Sequence, residues 1–211
     1  MIQFENCVKT FSKIWLDEAK DAKITCWIAG GCVRDYFSAQ PLKTDIDLFF
    51  PDIDNYDKCR KYMEENSCVI LYDGANGCKV KYKKHTFDLV KKFFESPQHT
   101  IDSFDFTVSM FAVNSEKVFY GETSFIDLAK KQLMINKLPY PISTMSRAFR
   151  YYQKGFFICK GQQEKLAKAI QAVPVFVEVE SAQGTTAPEP EKDNTEETSL
   201  AFGTGVFLGY D

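Results

Sequence analysis

The first 160 residues read as an α/β (α+β) domain, a mixed sheet with helices on one face, and three observations point there. Apolar runs of strand length recur between helical patterns with one polar face. Clusters such as Asp73-Gly-Ala-Asn-Gly77 punctuate them as turns. The apolar run Ile24 to Ala29 passes through Gly30-Gly31 straight into a helical pattern at Val33, Tyr36 and Phe37, which is a strand, a tight turn and a helix N-terminus.

Taken in order, Val8 to Ala19 carries apolar residues at 8, 11, 14, 15 and 19, a helical stripe. The strand at 24–29 and the helix at about 33–37 follow, and Pro41 closes that segment. Residues 45–50 read as a strand, Tyr56 to Glu65 as a polar-faced helix, and Cys68 to Tyr72 as a strand. Lys79 to Tyr82 and Thr86 to Val90 alternate, as two strands or one bent strand do. Phe104 to Val113 is an apolar strand or short helix, Lys117 to Tyr120 a weaker strand, and Phe125 to Gln132 helical. Met145 to Gln153 is a helix with Met145, Ala148, Phe149 and Tyr152 on one face, and Glu164 to Ala172 forms another. The expected division is a domain over 1–138, a short helical neck over 139–172, and an extended acidic linker with an apolar docking tail over 173–211. In that tail Pro174 limits Val173 to Val179 to an edge strand, and Leu200 to Leu208 returns to apolar character.

Bulk composition narrows the function classes. The net charge of −3 is unevenly divided: from residue 178 onward eight acids face Lys192 alone, which leaves the first 177 residues at +4. A mildly basic body can hold a polyanion, yet +4 is a faint footprint for nucleic acid. The 7 cysteines form no Cys-x-x-Cys pair and read as reduced thiols of an intracellular protein, with structural zinc not expected. No run approaches 18 apolar residues, so no membrane span is expected and the location is read as cytoplasmic, or a virion if the protein is an assembly component.

The chemistry concentrates in two places. Backbone N–H groups at a turn such as Gly30-Gly31 are unpaired and can receive phosphate oxygens. Asp45 and Asp47 sit two apart in a strand, so both carboxylates project from one face while Ile46 and Leu48 take the other. Two acids beside a phosphate-sized turn point to a divalent metal and a triphosphate, an arrangement for nucleotidyl transfer. Such transfer is served by carboxylate-bound Mg²⁺ (or Mn²⁺), with phosphate and water completing the ion's shell. A third acid on a neighbouring strand is required, and Asp88 in Thr86-Phe-Asp-Leu-Val90 is the candidate. Lys79, Lys81, Lys83, Lys84, Lys91 and Lys92 against Asp88 give +5 over 79–92; three alternate along a strand as a polyanion groove would, although solvated lysines are the commoner explanation.

Gly30-Gly31-Cys-Val-Arg34-Asp35 with Asp45-Ile-Asp47 resembles the head domain of bacterial-type tRNA CCA-adding enzymes and poly(A) polymerases, in the polymerase-β-like nucleotidyltransferase superfamily. Asp105-Phe-Thr-Val resembles that family's nucleotide-contacting strand motif. Phe125-Ile-Asp127-Leu-Ala-Lys-Lys and Arg147-Ala-Phe-Arg150-Tyr-Tyr-Gln-Lys-Gly155-Phe resemble the segments that close the head and open the neck. The similarity runs collinearly over about 24–158. It implies metal ligation by Asp45, Asp47 and Asp88, and nucleotide contacts from Gly30, Gly31, Arg34, Asp105, Arg147 and Arg150, although Arg34 and Asp35 are better suited to orienting the loop by hydrogen bonds than to touching substrate. The implied partners are a nucleoside triphosphate such as ATP and an acceptor hydroxyl, an RNA 3′ end among the candidates. The departures are equally specific. Ser103 and Phe104 stand where the family has two arginines, Pro141-Ile-Ser-Thr144 replaces its Asp-Pro-x-Arg, and no Glu-Asp-x-x-Arg motif follows residue 160. Full CCA addition is therefore not expected. The competing reading is a catalytically silent nucleotidyltransferase fold used structurally in a larger assembly, viral among the candidates, docking a protein partner through 173–211.

Overall fold

The computed structural model describes residues 2–40 and 45–174. The expected stop at Pro41 and nearly all of the acidic tail at 173–211 lie outside those residues. An N-terminal helix opens the chain: α1 (Ile2–Phe11) runs through a π-helical turn (Ser12–Leu16) into α2 (Asp17–Asp21). Of the predicted stripe, Phe11, Trp15 and Ala19 are buried and Val8 and Ile14 pack at its margin.

Among the described residues, seven strands form one sheet: β1 (Trp27–Ala29), β2 (Ile46–Phe50), β3 (Val69–Gly74), β4 (Gly77–Tyr82), β5 (His85–Phe93), β6 (Phe111–Val113) and β7 (Val118–Tyr120), ordered β3-β4-β5-β2-β1-β6-β7. Every pairing is antiparallel except β2 with β5, so the sheet is mixed as the sequence predicts. The alternating runs at 77–82 and 85–93 are two strands of a hairpin, not one bent strand. Gly77 opens β4 where a Cβ would meet the Leu89 carbonyl oxygen at 2.2 Å, an approach only glycine permits.

The strands bury alternate residues on two faces. Ile28, Ile46, Leu48, Phe50, Val80, Phe87 and Leu89 enter the larger core, covered by α1, α3 (Gly31–Phe37) and α4 (Ile53–Glu65). Asp52 caps α4, its carboxylate accepting from the Asn55 backbone N–H at 2.8 Å. Trp27, Ala29, Phe49, Val90 and Ala112 line a smaller core on the other face, closed by Ile101 and Phe104. That closure comes from α5 (Pro97–Asp102), a helix the sequence reading left out, so helices cover both faces rather than one. The stretch 104–113 is neither a single strand nor a helix: a 3₁₀ turn (Thr107–Ser109) precedes β6. Next come α6 (Ser124–Ala129), α7 (Pro141–Gln153) and α8 (Lys160–Gln171).

On α7 the face formed by Met145, Phe149 and Tyr152 points away from the core, Phe149 being 63% and Tyr152 73% exposed. Thr144 and Tyr151 occupy the buried side. All seven cysteines are free thiols, as expected, and burial pushes Cys7 and Cys26 up to about 12, which keeps them protonated and unreactive. No helix among the described residues is long and apolar enough to cross a membrane.

Candidate active site

β1 and β2 run antiparallel with Trp27 opposite Phe49 and Ile28 opposite Leu48, so β1 ends at Gly30-Gly31 beside the start of β2, where Asp45 and Asp47 lie. Gly30 caps α3 at φ 86° and ψ −137°, a conformation closed to side-chain-bearing residues, and its N–H donates to the Phe111 carbonyl at 2.8 Å. Both glycines are buried. The turn thus hangs from β6 and aims the α3 N-terminus along the same end of the sheet.

Asp47 and Asp88 are register partners on the parallel strands β2 and β5. Their alternation with Ile46, Leu48, Phe87 and Leu89, which enter the larger core, places both carboxylates on the opposite face with Asp45. Asp47 is 3% exposed and Asp88 nearly as buried, while the Asp45 side chain is 39% exposed. Lys79 on β4 lies opposite Asp88 in the β4–β5 register and shares its face. Its ammonium is 2.7 Å from Asp45 Oδ2 and 3.4 Å from Asp88 Oδ2. Burial pushes the Asp88 carboxyl above its usual range and the Asp45 charge adds to that, while Lys79 works against both. Its hydrogen bond to Asp45 raises Lys79 in turn, although burial opposes it, so the ammonium stays charged. The Cys32 thiol at the start of α3 is raised by burial and then by the Asp47 charge, which sets that carboxylate against the glycine turn.

Lys79 is the member of this cluster that the sequence reading places only in a row of lysines, without assigning it to the acids. The signal is present: β4 and β5 alternate across a tight turn, so a lysine three residues before the end of β4 meets an acid three residues after the start of β5. Lys83 does not join the row. It sits in the turn at φ 54° and gives its ammonium to Glu18 at 2.6 Å, in the helical layer beyond the other face.

The other predicted contacts are placed differently. Arg34, expected at nucleotide, is 1% exposed: its Nε donates to Asp35 Oδ1 at 2.8 Å and its Nη1 to Tyr151 Oη at 2.7 Å. A guanidinium enclosed in this way holds α3 to α7 instead of facing a ligand. Asp105 accepts from the Phe106 N–H and from Arg147 Nε at 2.5 Å, so two predicted nucleotide contacts are paired with each other. Arg150 is partly exposed one turn along α7. Asp127 accepts from Thr107 and Thr123, fastening α6 to the 3₁₀ turn.

The donors suit a hard divalent cation, because all three are carboxylates on one sheet face, and Asp45 and Asp88 share the ammonium of Lys79. Among the described residues no three His, Cys, Asp or Glu side chains already converge as a metal cage.

Residues 2–131, more than half of the chain, match the family described as Gabija anti-defense 2 family protein. The chain belongs to that family. No curated protein matches this Gabija anti-defense 2 chain. Solved structures do: a tRNA-processing enzyme in an apo form (TM-score 0.59, 16% identity, covering 78% of this chain and 47% of that one) and the Thermotoga maritima CCA-adding enzyme complexed with tRNA (TM-score 0.58, 15% identity, covering 77% and 42%). A CCA-adding enzyme with CTP matches at TM-score 0.56 and 16% identity, covering 72% and 40%. The Gabija anti-defense 2 chain spans less than half the length of these structures, and the likeness is one of fold: the α/β nucleotidyltransferase head with its mixed sheet.

Proposed function

We propose that this chain is a metal-dependent nucleotidyltransferase that moves a nucleotidyl group from a nucleoside triphosphate to a hydroxyl, an activity directed against Gabija defence. One observation carries the reading: Asp47 and Asp88 stand in register on adjacent strands, with Asp45 linked to Asp88 through Lys79, at the sheet end where Gly30-Gly31 turns into α3. Nothing in the packing of a sheet demands three acids on one face, and buried like charges repel without a cation. Asp45, Asp47 and Asp88 would hold Mg²⁺ or Mn²⁺, and the bound ion would neutralise charge developing on the reacting phosphate oxygens. Of the two glycines only Gly31, at the first position of α3, would offer its backbone N–H to phosphate, because the Gly30 N–H that the sequence also assigned to phosphate is held by the Phe111 carbonyl, and the buried Arg34 keeps the turn in place. Opening of the Asp105–Arg147 pair would release both groups toward nucleotide, with Arg150 one turn away on the same helix. The acceptor is an RNA 3′ end, a protein side chain or a small molecule, and the activity of the longer related enzymes is not assumed.

The second reading, a fold kept without catalysis, draws on the same site, since Lys79 and Arg147 already satisfy acids that substrate would engage. Label transfer separates the two. With α-³²P-nucleoside triphosphates, Mg²⁺ or Mn²⁺ and mixed RNA and protein acceptors, the intact chain is expected to transfer label and Asp45→Asn/Asp47→Asn to lose at least about a hundredfold. Absence of label together with absence of metal-dependent nucleotide binding would establish the silent fold.

A further inference from the structure

We propose that Lys79 is the built-in counter-cation of the carboxylate site: its ammonium holds the place between Asp45 and Asp88 that a divalent cation takes, and it must swing away before the site loads. The inference rests on the metal-dependent reading above and adds to it the residue that sets cation affinity. Geometry carries it. The ammonium lies 2.7 Å from one carboxylate and 3.4 Å from the other, bridging acids that belong to different parts of the sheet, and one such position cannot hold both an ammonium and a metal ion. Neighbouring lysines do not share this role. Lys83 is committed to Glu18 across the sheet, and Lys81, two residues along the same face of β4, is exposed.

Displacement is mechanically open to Lys79. Its strand is paired on both sides, with β3 and β5, so its Cα stays fixed while the side chain, 36% exposed, is free to rotate toward solvent. A divalent ion brings twice the charge into the same space, so it can displace the lysine, though with less net gain than at a bare acid site. Released, the ammonium is left at the mouth of the site, where triphosphate oxygens would arrive. Cation loading and nucleotide capture are then linked through one side chain.

The test is Mn²⁺ titration of the full chain followed by electron paramagnetic resonance, with no turnover required. Lys79→Met is expected to bind Mn²⁺ about tenfold more tightly than the intact chain. Lys79→Arg keeps a cation in place and is expected to bind no more tightly than the intact chain, while Asp45→Asn/Asp88→Asn is expected to lose binding. Circular dichroism confirms folding of each variant, and added Mn²⁺ is expected to raise the melting temperature of Lys79→Met more than that of the intact chain. Equal Mn²⁺ affinity in Lys79→Met and the intact chain would overturn the role of Lys79 and leave the metal-dependent reading standing. Binding by neither folded protein would overturn both.

Discussion

Arg34 shows how a single buried charge ties the Gly30-Gly31 turn to a distant helix. Its guanidinium sits beneath the surface with Nε and Nη2 on Asp35 and Nη1 on Tyr151, whose ring also lies 5.2 Å from the guanidinium carbon. The Tyr151 hydroxyl in turn reaches Ser109 Oγ at 2.5 Å, so one phenol joins α3, the 3₁₀ turn and α7. Removing one partner of a buried polar group costs the desolvation of what remains. Tyr151→Phe keeps the ring and its packing but strands one guanidinium N–H and one hydroxyl. It is expected to lower unfolding stability by about 1–3 kcal/mol in urea denaturation, with an unchanged denaturant slope. The Arg34-Asp35 pair was visible in the sequence, but its orientation was not. A role in orienting the loop is legible in the sequence, whereas the 117-residue separation to Tyr151 leaves no local trace of the partner that turns the arginine inward.

Elements were legible where one period dominated. The alternation at 45–50 and 86–90 gave both the strands and the face of their acids, because a period of two admits a single assignment once one side is apolar. Helix α7 was harder: it has apolar residues on two sides, and hydrophobicity alone cannot say which side meets the core. The buried side is the one with Tyr151, whose hydroxyl has partners. Helix α5 was missed for its brevity, although Ser96 with Pro97 at the first helical position is a start signal, and the Ser96 side chain does accept from the His99 N–H. At this scale Glu18 is a tie between elements: Tyr82 of β4 donates to it at 2.6 Å, Tyr62 of α4 at 3.2 Å and Lys83 of the β4–β5 turn at 2.6 Å. Burial pushes this carboxyl up, but the hydrogen bonds from Lys83 and Tyr82, with the Lys83 charge and Tyr62, outweigh it and hold it below the usual 4.5. A depressed carboxyl favours the folded state above its unfolded value and ceases to do so as pH falls through its folded value. Stability is therefore expected to drop as pH falls below about 4.5, and Glu18→Gln to be less stable at neutral pH with a flatter decline. Urea midpoints from pH 6 to 3 measure both; parallel curves for the two proteins would rule the tie out.

For the whole molecule, the question is whether 1–138 and 139–172 are separable, as motif boundaries suggest. The packing argues for one cooperative unit over the described residues. Tyr151, Phe156 and Leu166 belong to the same core cluster as Phe11, Trp15, Leu48, Phe87 and Phe106, so the neck helices complete the core of the sheet. Backbone pairing repeats the point: Leu133 N donates to Phe157 O at 2.7 Å, and Phe157 N to Lys131 O at 2.9 Å. Cutting the chain after residue 138 would remove the Tyr151 acceptor from Arg34, the Arg147 partner from Asp105, and the side chains that cover Phe106 and Leu133. An unpaired buried charge and an opened aromatic core are each losses of several kcal/mol, against a total stability of about 5–15 kcal/mol for a domain. The 1–138 fragment is therefore expected to lack a cooperative transition, while the full chain melts in one step reported alike by circular dichroism and by the fluorescence of Trp15 and Trp27. Both tryptophans lie before residue 138, so a neck melting separately would leave their signal unchanged while helicity fell. That divergence, or a folded 1–138 fragment, would show that the neck is an appendage and that Arg34 finds its partners without it.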